Sequence, residues 1–312
     1  MALHSSRCRF IRHGLVISLL TVFSASAHAA SHSYTIYIRA GNLTVEGSGG
    51  ATIPAWGYTD LANGTPKIPG PVVEAREGDS VTVTVFNDHD LDHNFVVQGL
   101  TTDTAAIAYG KSRQYTFSTP KAGVYFYRDT LNNNINREMG LYGAVVVRTA
   151  DGSNRAWTDG PAFNSERLWV VSEMDKPRWN DVAAAGGKVD TDVYRPNYFL
   201  INGMGGFKAM KDENTYLDGL VGDTALVRIV NAGQFSHSLH LHGTHVQVLD
   251  VNGTRLSAFE WMDTVDLKPG STMMIMHHFA QKGDYPMHVH TAQMETANGV
   301  YLNGVATMWM AK

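Results

Sequence analysis

Cysteine is almost absent: the 312 residues include one, Cys8. This residue lies in an N-terminal segment that the sequence predicts to be removed, so the mature chain is expected to have no thiol. A chain without thiols forms neither disulfide bonds nor thiolate-ligated metal centres. We therefore expect core packing to stabilise the fold and any metal chemistry to use other ligands.

A strong charge of one sign is also missing. The formal net charge is −4, and no basic run or stripe is present, which argues against a nucleic-acid partner. The apolar run over residues 15–23 is too short for a permanent membrane span. It follows an arginine-rich start and precedes Ala27-His28-Ala29, a small-x-small cleavage pattern. We therefore predict a signal peptide over residues 1–29, no transmembrane span after its removal, and a periplasmic or secreted location.

Long segments with a helical period are lacking as well. Strand-like runs, such as residues 80–85 and 225–230, are separated by Gly, Asn, Asp and Pro. The sequence therefore predicts an all-β chain, and its length of 312 residues favours two domains.

The chain also contains an internal repeat. Asn87, with His93 six residues later, matches Asn231 with His237 in the second half. Repetition on this scale indicates two copies of one domain. The predicted organisation is a signal peptide (1–29), a first domain (33–150), a linker (151–165) and a second domain (166–312).

Two H-x-H pairs in the second half carry the metal prediction. They are His240-Leu241-His242 and His288-Val289-His290. Residues i and i+2 of a β-strand point to the same face, so two neighbouring strands would present four imidazoles to one small volume. Neutral imidazole binds several transition metals, and copper(II) heads the affinity order. We predict that the metal ligands are His240, His242, His288 and His290 and that the cofactor is copper. Zinc, two ions instead of one, and ordinary core or surface histidines stay open as alternatives.

Several further motifs resemble, in order and spacing, the landmarks of the multicopper oxidases. They are Ile68-Pro69-Gly70-Pro71, Gly78-Asp79, residues 237–243, Trp261-Met262-Asp263-Thr264, Pro269-Gly270 and residues 285–290. The resemblance covers nearly the whole mature chain and is closest to the small two-domain, laccase-like members. It implies two cupredoxin-like Greek-key β-sandwich domains. It also implies a homotrimer, because the shared metal site of those members forms between subunits.

The same resemblance implies that one copper site of the family has been lost. His237 matches a type 1 copper ligand, but the type 1 cysteine corresponds to Val289 and the next type 1 histidine to Met294. The remaining matches are His240 to a type 2 ligand and His242, His288 and His290 to type 3 ligands. We therefore expect no blue type 1 centre.

The first domain lacks its matching ligands too. Its two H-x-H motifs correspond to Val96-Val97-Gln98 and Arg128-Asp129-Thr130. Half of the ligands of a trinuclear copper cluster are therefore missing. The resemblance thus argues against laccase chemistry and for a reduced, mononuclear, all-histidine copper site.

Arg128 and Gln98 are the candidate catalytic or substrate-binding residues. If the two half-sites face each other as in the family, these side chains line a pocket opposite the four histidines. The planar guanidinium of arginine suits a carboxylate or another anion, which predicts a small-molecule or anionic substrate. The alternative for Arg128 is an ion pair with Asp129 or Glu138.

Three functions remain open from the sequence. The first is an exported copper-dependent oxidoreductase. The second is a periplasmic protein that binds or sequesters copper without turnover. The third is a metal-free cupredoxin scaffold. The four second-half histidines weigh against the third.

Overall fold

The computed structural model describes residues 29–45 and 51–312. The predicted signal peptide lies outside these residues except for Ala29. The regular structure of the described chain is almost entirely β-strand, with only short helical turns, which confirms the all-β prediction. In the described ranges, none of the helices has the length and apolar character that crossing a membrane requires.

The first half folds into two sheets that face each other. Its described strands are β1 (Ser31–Val45), β2 (Ala51–Thr59), β3 (Val73–Arg76), β4 (Ser80–Asn87), β5 (Val96–Val97), β6 (Ser112–Ser118), β7 (Gly123–Arg128) and β8 (Tyr142–Arg148). The strand orders are β2-β1-β4-β6 and β3-β8-β7-β5. In β4 the valines at 81, 83 and 85 are buried while the intervening residues are partly exposed, so one face of the strand enters the core. A 3-10 turn (Asn132–Asn134) and helix α1 (Ile135–Glu138) follow β7.

The second half repeats this plan with more strands. They are β9 (Ser165–Met174), β10 (Tyr198–Ile201), β11 (Leu217–Gly219), β12 (Thr224–Asn231), β13 (His237–Leu241), β14 (Val246–Val251), β15 (Thr254–Met262), β16 (Thr264–Leu267), β17 (Thr272–His278), β18 (Gly283–Val289), β19 (Thr296–Ala297), β20 (Val300–Tyr301) and β21 (Ala306–Ala311). The strand orders are β15-β14-β17-β12-β9-β10-β19-β20 and β11-β21-β18-β13-β16. The helical segments are a π-helical turn (Lys176–Asn180), α2 (Asp181–Ala184) and α3 (Gly206–Ala209).

Each half has its own apolar core, and a third cluster joins them. One core lies between the sheets of the second half, around Trp169 and Trp309. Another fills the first half, around Tyr58 and Phe95. The third contains Phe126 from the first half and residues of β9, β10 and β12 from the second. The two halves are therefore packed against each other through apolar side chains.

The internal repeat is visible in the hydrogen bonds of two asparagines. The Asn87 side chain donates to the carbonyls of Leu91 and Ile107, at 2.7 and 2.8 Å. Asn231 donates to the carbonyls of Phe235 and Leu267, both at 2.8 Å. The two asparagines therefore fix the same loop geometry after β4 and after β12.

Candidate metal centre

Strands β13 and β18 bring the two H-x-H pairs together. They pair antiparallel, with His240 directly opposite His288. Leu239, Leu241 and Val289 are buried in the core on the opposite face. Because side chains alternate along a strand, burial of these apolar residues turns the histidines to the outer face of the sheet.

The four rings lie within a few ångströms of one another. The centroids are 4.3 Å apart for His240 and His290, 4.8 Å for His240 and His242, 5.1 Å for His242 and His288, and 5.3 Å for His288 and His290. His242 Nε2 lies 2.9 Å from His288 Nε2. Two ligands of a tetrahedral ion, with metal–nitrogen bonds of about 2.0–2.1 Å, would be about 3.3 Å apart, so this pair needs a small opening to hold one.

Neighbouring side chains hold two of the rings in orientation. His240 Nδ1 lies 2.9 Å from Thr264 Oγ1, on the adjacent strand β16. His288 Nδ1 lies 3.0 Å from the carboxylate of Glu295. A carboxylate only accepts hydrogen bonds, so His288 carries its proton on Nδ1 and presents the Nε2 lone pair to the other rings. Orientation of an imidazole by a carboxylate or hydroxyl on its outer nitrogen is typical of metal-ligating histidines.

The electrostatics favour neutral imidazoles, which is the ligating form. Burial, followed by the charge of His290, lowers the pKa of His240. Burial, followed by His240, lowers the pKa of His242. Among the described residues, no three His, Asp or Glu side chains are already arranged to enclose an ion. The donor set therefore fits a nitrogen-binding metal in chemistry and proximity, and ligation requires the side chains to turn slightly towards one another.

His237 does not join these rings. It is fully buried, and its Nε2 lies 3.1 Å from the carboxylate of Glu173. His237 and His240 are three residues apart on β13, an odd spacing that places them on opposite faces. The His237 Nδ1 atom has no hydrogen-bond partner among the described residues, and Val289 and Met294 are buried. Of the residues that match type 1 ligands, His237 is thus paired with the Glu173 carboxylate in the core.

The other second-half histidines lie apart from the four rings. His277 is fully buried against Phe279 and Trp309, and burial lowers its pKa to about 3. His278 Nε2 lies 3.0 Å from the side-chain oxygen of Gln247. Glu173, Thr264 and Glu295 were missed by the sequence reasoning. Of these, only Thr264 lies in a motif that could have indicated it, Trp261-Met262-Asp263-Thr264.

Arg128 and Gln98 contact each other in the first half. Arg128 Nη1 donates to Gln98 Oε1 at 2.7 Å, and the guanidinium lies 4.9 Å from the centroid of the Phe126 ring. Within the described residues, Arg128 has no ion pair with Asp129 or Glu138. Asp129 instead pairs with His93 and Glu138 with Arg137. The alternative prediction of an ion pair for Arg128 is therefore wrong.

The first-half residues are separate from the four histidines within one chain. Val96 pairs with Arg128 across β5 and β7, and the Thr130 hydroxyl accepts from the side chain of Asn94 at 2.9 Å. In the described ranges, no hydrogen bond or ring contact links these residues or Gln98 to the histidines. Gln98 instead borders a cavity of about 380 Å³ that also contacts Lys121 and Asn252.

Two curated proteins illustrate the sequence similarity. A probable nitrite reductase–hydroxylamine oxidoreductase fusion protein of Kuenenia stuttgartiensis is 23% identical over 283 residues, covering 83% of this chain and 30% of that protein. Laccase-7 of Oryza sativa subsp. japonica is 26% identical over 251 residues, covering 74% of this chain and 43% of that protein. The chain therefore spans less than half the length of these relatives.

A solved structure and two family models complete the comparison. The crystal structure of a blue copper oxidase from Nitrosomonas europaea matches with a TM-score of 0.75 and 21% identity, covering 90% of this chain and 86% of that one. This likeness confirms the predicted fold of two cupredoxin-like β-sandwiches. Two multicopper oxidase family models match residues 55–152 and 187–303. Because these two segments together span more than half of the sequence, the chain belongs to the multicopper oxidase family.

Proposed function

We propose that the protein is an exported copper-binding oxidoreductase with one all-histidine copper site and no blue type 1 centre. The ligands are His240, His242, His288 and His290. The observation that carries the proposal is the packing of these four rings on the outer face of β13 and β18, with centroids as close as 4.3 Å. Glu295 and Thr264 orient two of the rings from outside, as an ordered metal site requires.

Two features support the absence of a type 1 centre. Such centres use a cysteine thiolate, and the sequence has only Cys8, far from the four rings in sequence. His237 is engaged by Glu173 in the core, and the neighbouring Val289 has no donor atom. The electron-transfer path of a conventional laccase therefore has no starting point in this chain.

Copper bound by the four histidines would supply a one-electron redox centre and a Lewis acid. The protein contributes the neutral imidazoles and their orientation. His242 and His290 are exposed, whereas His240 and His288 are partly covered. This arrangement leaves the outer side of the rings open to a small molecule, and we propose turnover over closed storage of the metal on this ground. Non-catalytic copper binding is the second candidate, and a purified protein that binds copper but oxidises no donor would favour it.

The optical spectrum of the copper-loaded protein tests the type of centre. Without a thiolate ligand, we expect a nearly colourless protein with weak d–d absorption and an electron paramagnetic resonance signal of nitrogen-ligated copper(II). The Val289→Cys variant is the matched comparison, because it places a thiol on the buried face of β18, at the position that matches the type 1 cysteine. An intense charge-transfer band in the wild-type protein would contradict the proposed ligand set.

We also propose that the functional unit is a homotrimer that binds a small-molecule or anionic substrate. Arg128 and Gln98 lie apart from the histidines within one chain, so a pocket that combines them needs a second copy. We expect sedimentation of the mature protein to give three times the mass of one chain. Mutation of Arg128 to Ala should weaken binding of an anionic substrate but leave the copper content unchanged. A monomer at micromolar concentration would contradict the shared pocket.

A further inference from the structure

A second pocket opens between the first half and helix α2 of the second half, remote in sequence from the four histidines. Its cavity of about 420 Å³ lies between β2, the loop over residues 88–91 and helix α2. Trp56 and Leu91 provide apolar lining, and Tyr109, which is 65% exposed, stands at the rim. The proposed copper chemistry does not use any of these residues.

A chain of three buried side chains reaches this pocket. His89, which is only 8% exposed, lines it, and its ring centroid lies 4.6 Å from that of Trp56. His89 Nδ1 is 2.8 Å from His93 Nε2, and His93 Nδ1 is 2.7 Å from Asp129 Oδ2. Asp129 also accepts from the backbone N–H of Leu131 at 2.8 Å and from the side chain of Asn136 at 3.0 Å. The carboxylate is therefore fixed as an acceptor at the inner end of the chain.

The hydrogen-bond directions follow from that carboxylate. An ionised carboxylate only accepts, so His93 donates from Nδ1, and in the neutral form of His93 the Nε2 atom is an acceptor. His89 must then donate from Nδ1 to His93, which leaves His89 Nε2 with a lone pair. Burial lowers the pKa of His89 to about 4, so this ring is neutral near pH 7.

The outer nitrogen of His89 faces another acceptor. Asp90 Oδ1 lies 3.3 Å from His89 Nε2, and the Asp90 side chain is 84% exposed at the pocket. The other rim carboxylate, Asp88, is paired with Arg39 at 2.6 Å, whereas Asp90 has no Lys or Arg partner among the described residues. A hydrogen-bond donor that contacts both acceptors would stabilise them at this separation. A positively charged donor would stabilise them more than a neutral one.

The segment that follows Asp129 has an unusual backbone conformation. Asn132, Asn133 and Asn134 have φ values of 54°, 50° and 65°. Successive left-handed residues other than glycine are costly, although asparagine tolerates the conformation better than most residues. The segment connects Asp129 to Asn136, which donates back to Asp129. Strain of this kind persists where the surrounding structure over-determines it, often at ligand sites.

The second copy of the domain lacks the network. By the offset of the repeat, Gly233 stands at the place of His89, Gln234 at that of Asp90 and Val289 at that of Asp129. A Cβ atom on Gly233 would collide with the carboxylate of Glu173, which lies against His237 in this half. The pair of acceptors formed by His89 Nε2 and the Asp90 carboxylate is therefore specific to the first half and is not required by the domain fold.

We propose that this pocket binds a small organic ammonium ion with an apolar body. Its N–H groups would donate to His89 Nε2 and to the Asp90 carboxylate, while the apolar part packs against Trp56 and Leu91. The aromatic rings of Trp56 and Tyr109 add attraction for a cation. An anion would be repelled by the carboxylates.

Isothermal titration of the full mature protein with 2-phenylethylammonium tests this proposal. The comparison ligands are the neutral 2-phenylethanol and the anionic 3-phenylpropanoate. We expect the ammonium ion to bind at least tenfold more tightly than the alcohol and the carboxylate not to bind at millimolar concentration. The Asp90→Asn and His89→Gln variants should each lose about tenfold in affinity for the ammonium ion.

The control is Asp92→Asn, which removes the same charge from an exposed residue of the same loop that does not line the pocket. It should bind as the wild type does, and the copper content of all variants should be unchanged. Equal affinity for the three compounds, or unchanged affinity in Asp90→Asn, would overturn the proposal. Because Asp90 is exposed, that variant gives a result even if His89→Gln does not fold.

Discussion

Replacement of Glu173 by alanine should destabilise the second domain by about 3–5 kcal/mol, the cost of removing one partner from a buried pair. The Glu173 carboxylate accepts from the backbone N–H groups of Gln234 and Phe235 and lies 3.1 Å from His237 Nε2. Both His237 and Glu173 are buried. Removal of the carboxylate leaves these donors unsatisfied, and each unsatisfied buried group costs about 1–3 kcal/mol.

Thermal unfolding followed by calorimetry measures this effect. For a domain of this size, about 1 kcal/mol shifts the midpoint by roughly 2–4 °C, so a decrease of about 6–20 °C is expected. Gly233→Ala should also destabilise the domain, because its Cβ would overlap the Glu173 carboxylate. Glu260→Ala, at an exposed position of β15, is the control and should change stability by less than about 0.5 kcal/mol. A Glu173→Ala midpoint equal to that of this control would show that the carboxylate contributes little.

The period of the β-strand explains what could be predicted of the metal centre. The i, i+2 spacing places His240 with His242, and His288 with His290, on one face each. The repeat and the all-β pattern then made two neighbouring strands the simplest arrangement. The partners Glu295 and Thr264 depend on how the following loop and β16 pack against these strands. No local pattern gives those contacts.

Strand alternation also explains the error at Arg128. The sequence placed Asp129 beside it and suggested an ion pair, but neighbours on an extended chain point to opposite faces. Arg128 therefore contacts the side chain of Gln98, which directly follows β5, whereas the Asp129 side chain is buried and contacts His93. The contact between His93 and His89 could not be predicted from the sequence either, because it depends on the loop that Asn87 fixes after β4.

Loss of copper from the double variant His240→Ala, His288→Ala is the largest effect that we expect on function. These residues lie directly opposite each other on β13 and β18, so the variant removes one ligand from each H-x-H pair. The two histidines that remain cannot complete a four-ligand nitrogen site, and affinity should fall by several orders of magnitude. Glu295→Gln, which keeps all four ligands but weakens the orientation of His288, should lose about 10–100-fold in affinity.

A matched control is available on the same domain. His245 is exposed and lies outside the two H-x-H pairs, so His245→Ala removes a surface imidazole without touching the proposed site. This variant should retain the wild-type copper affinity. Circular dichroism should show the same β-rich fold in all the variants, because the four histidines lie on the outer face of the sheet.

Elemental analysis of copper after equilibrium dialysis against a competing chelator measures the central claim most directly. We expect one copper ion per chain for the wild type and for His245→Ala, and less than one tenth of that for the double variant. Equal copper content in the wild type and the double variant would contradict an all-histidine copper site on β13 and β18.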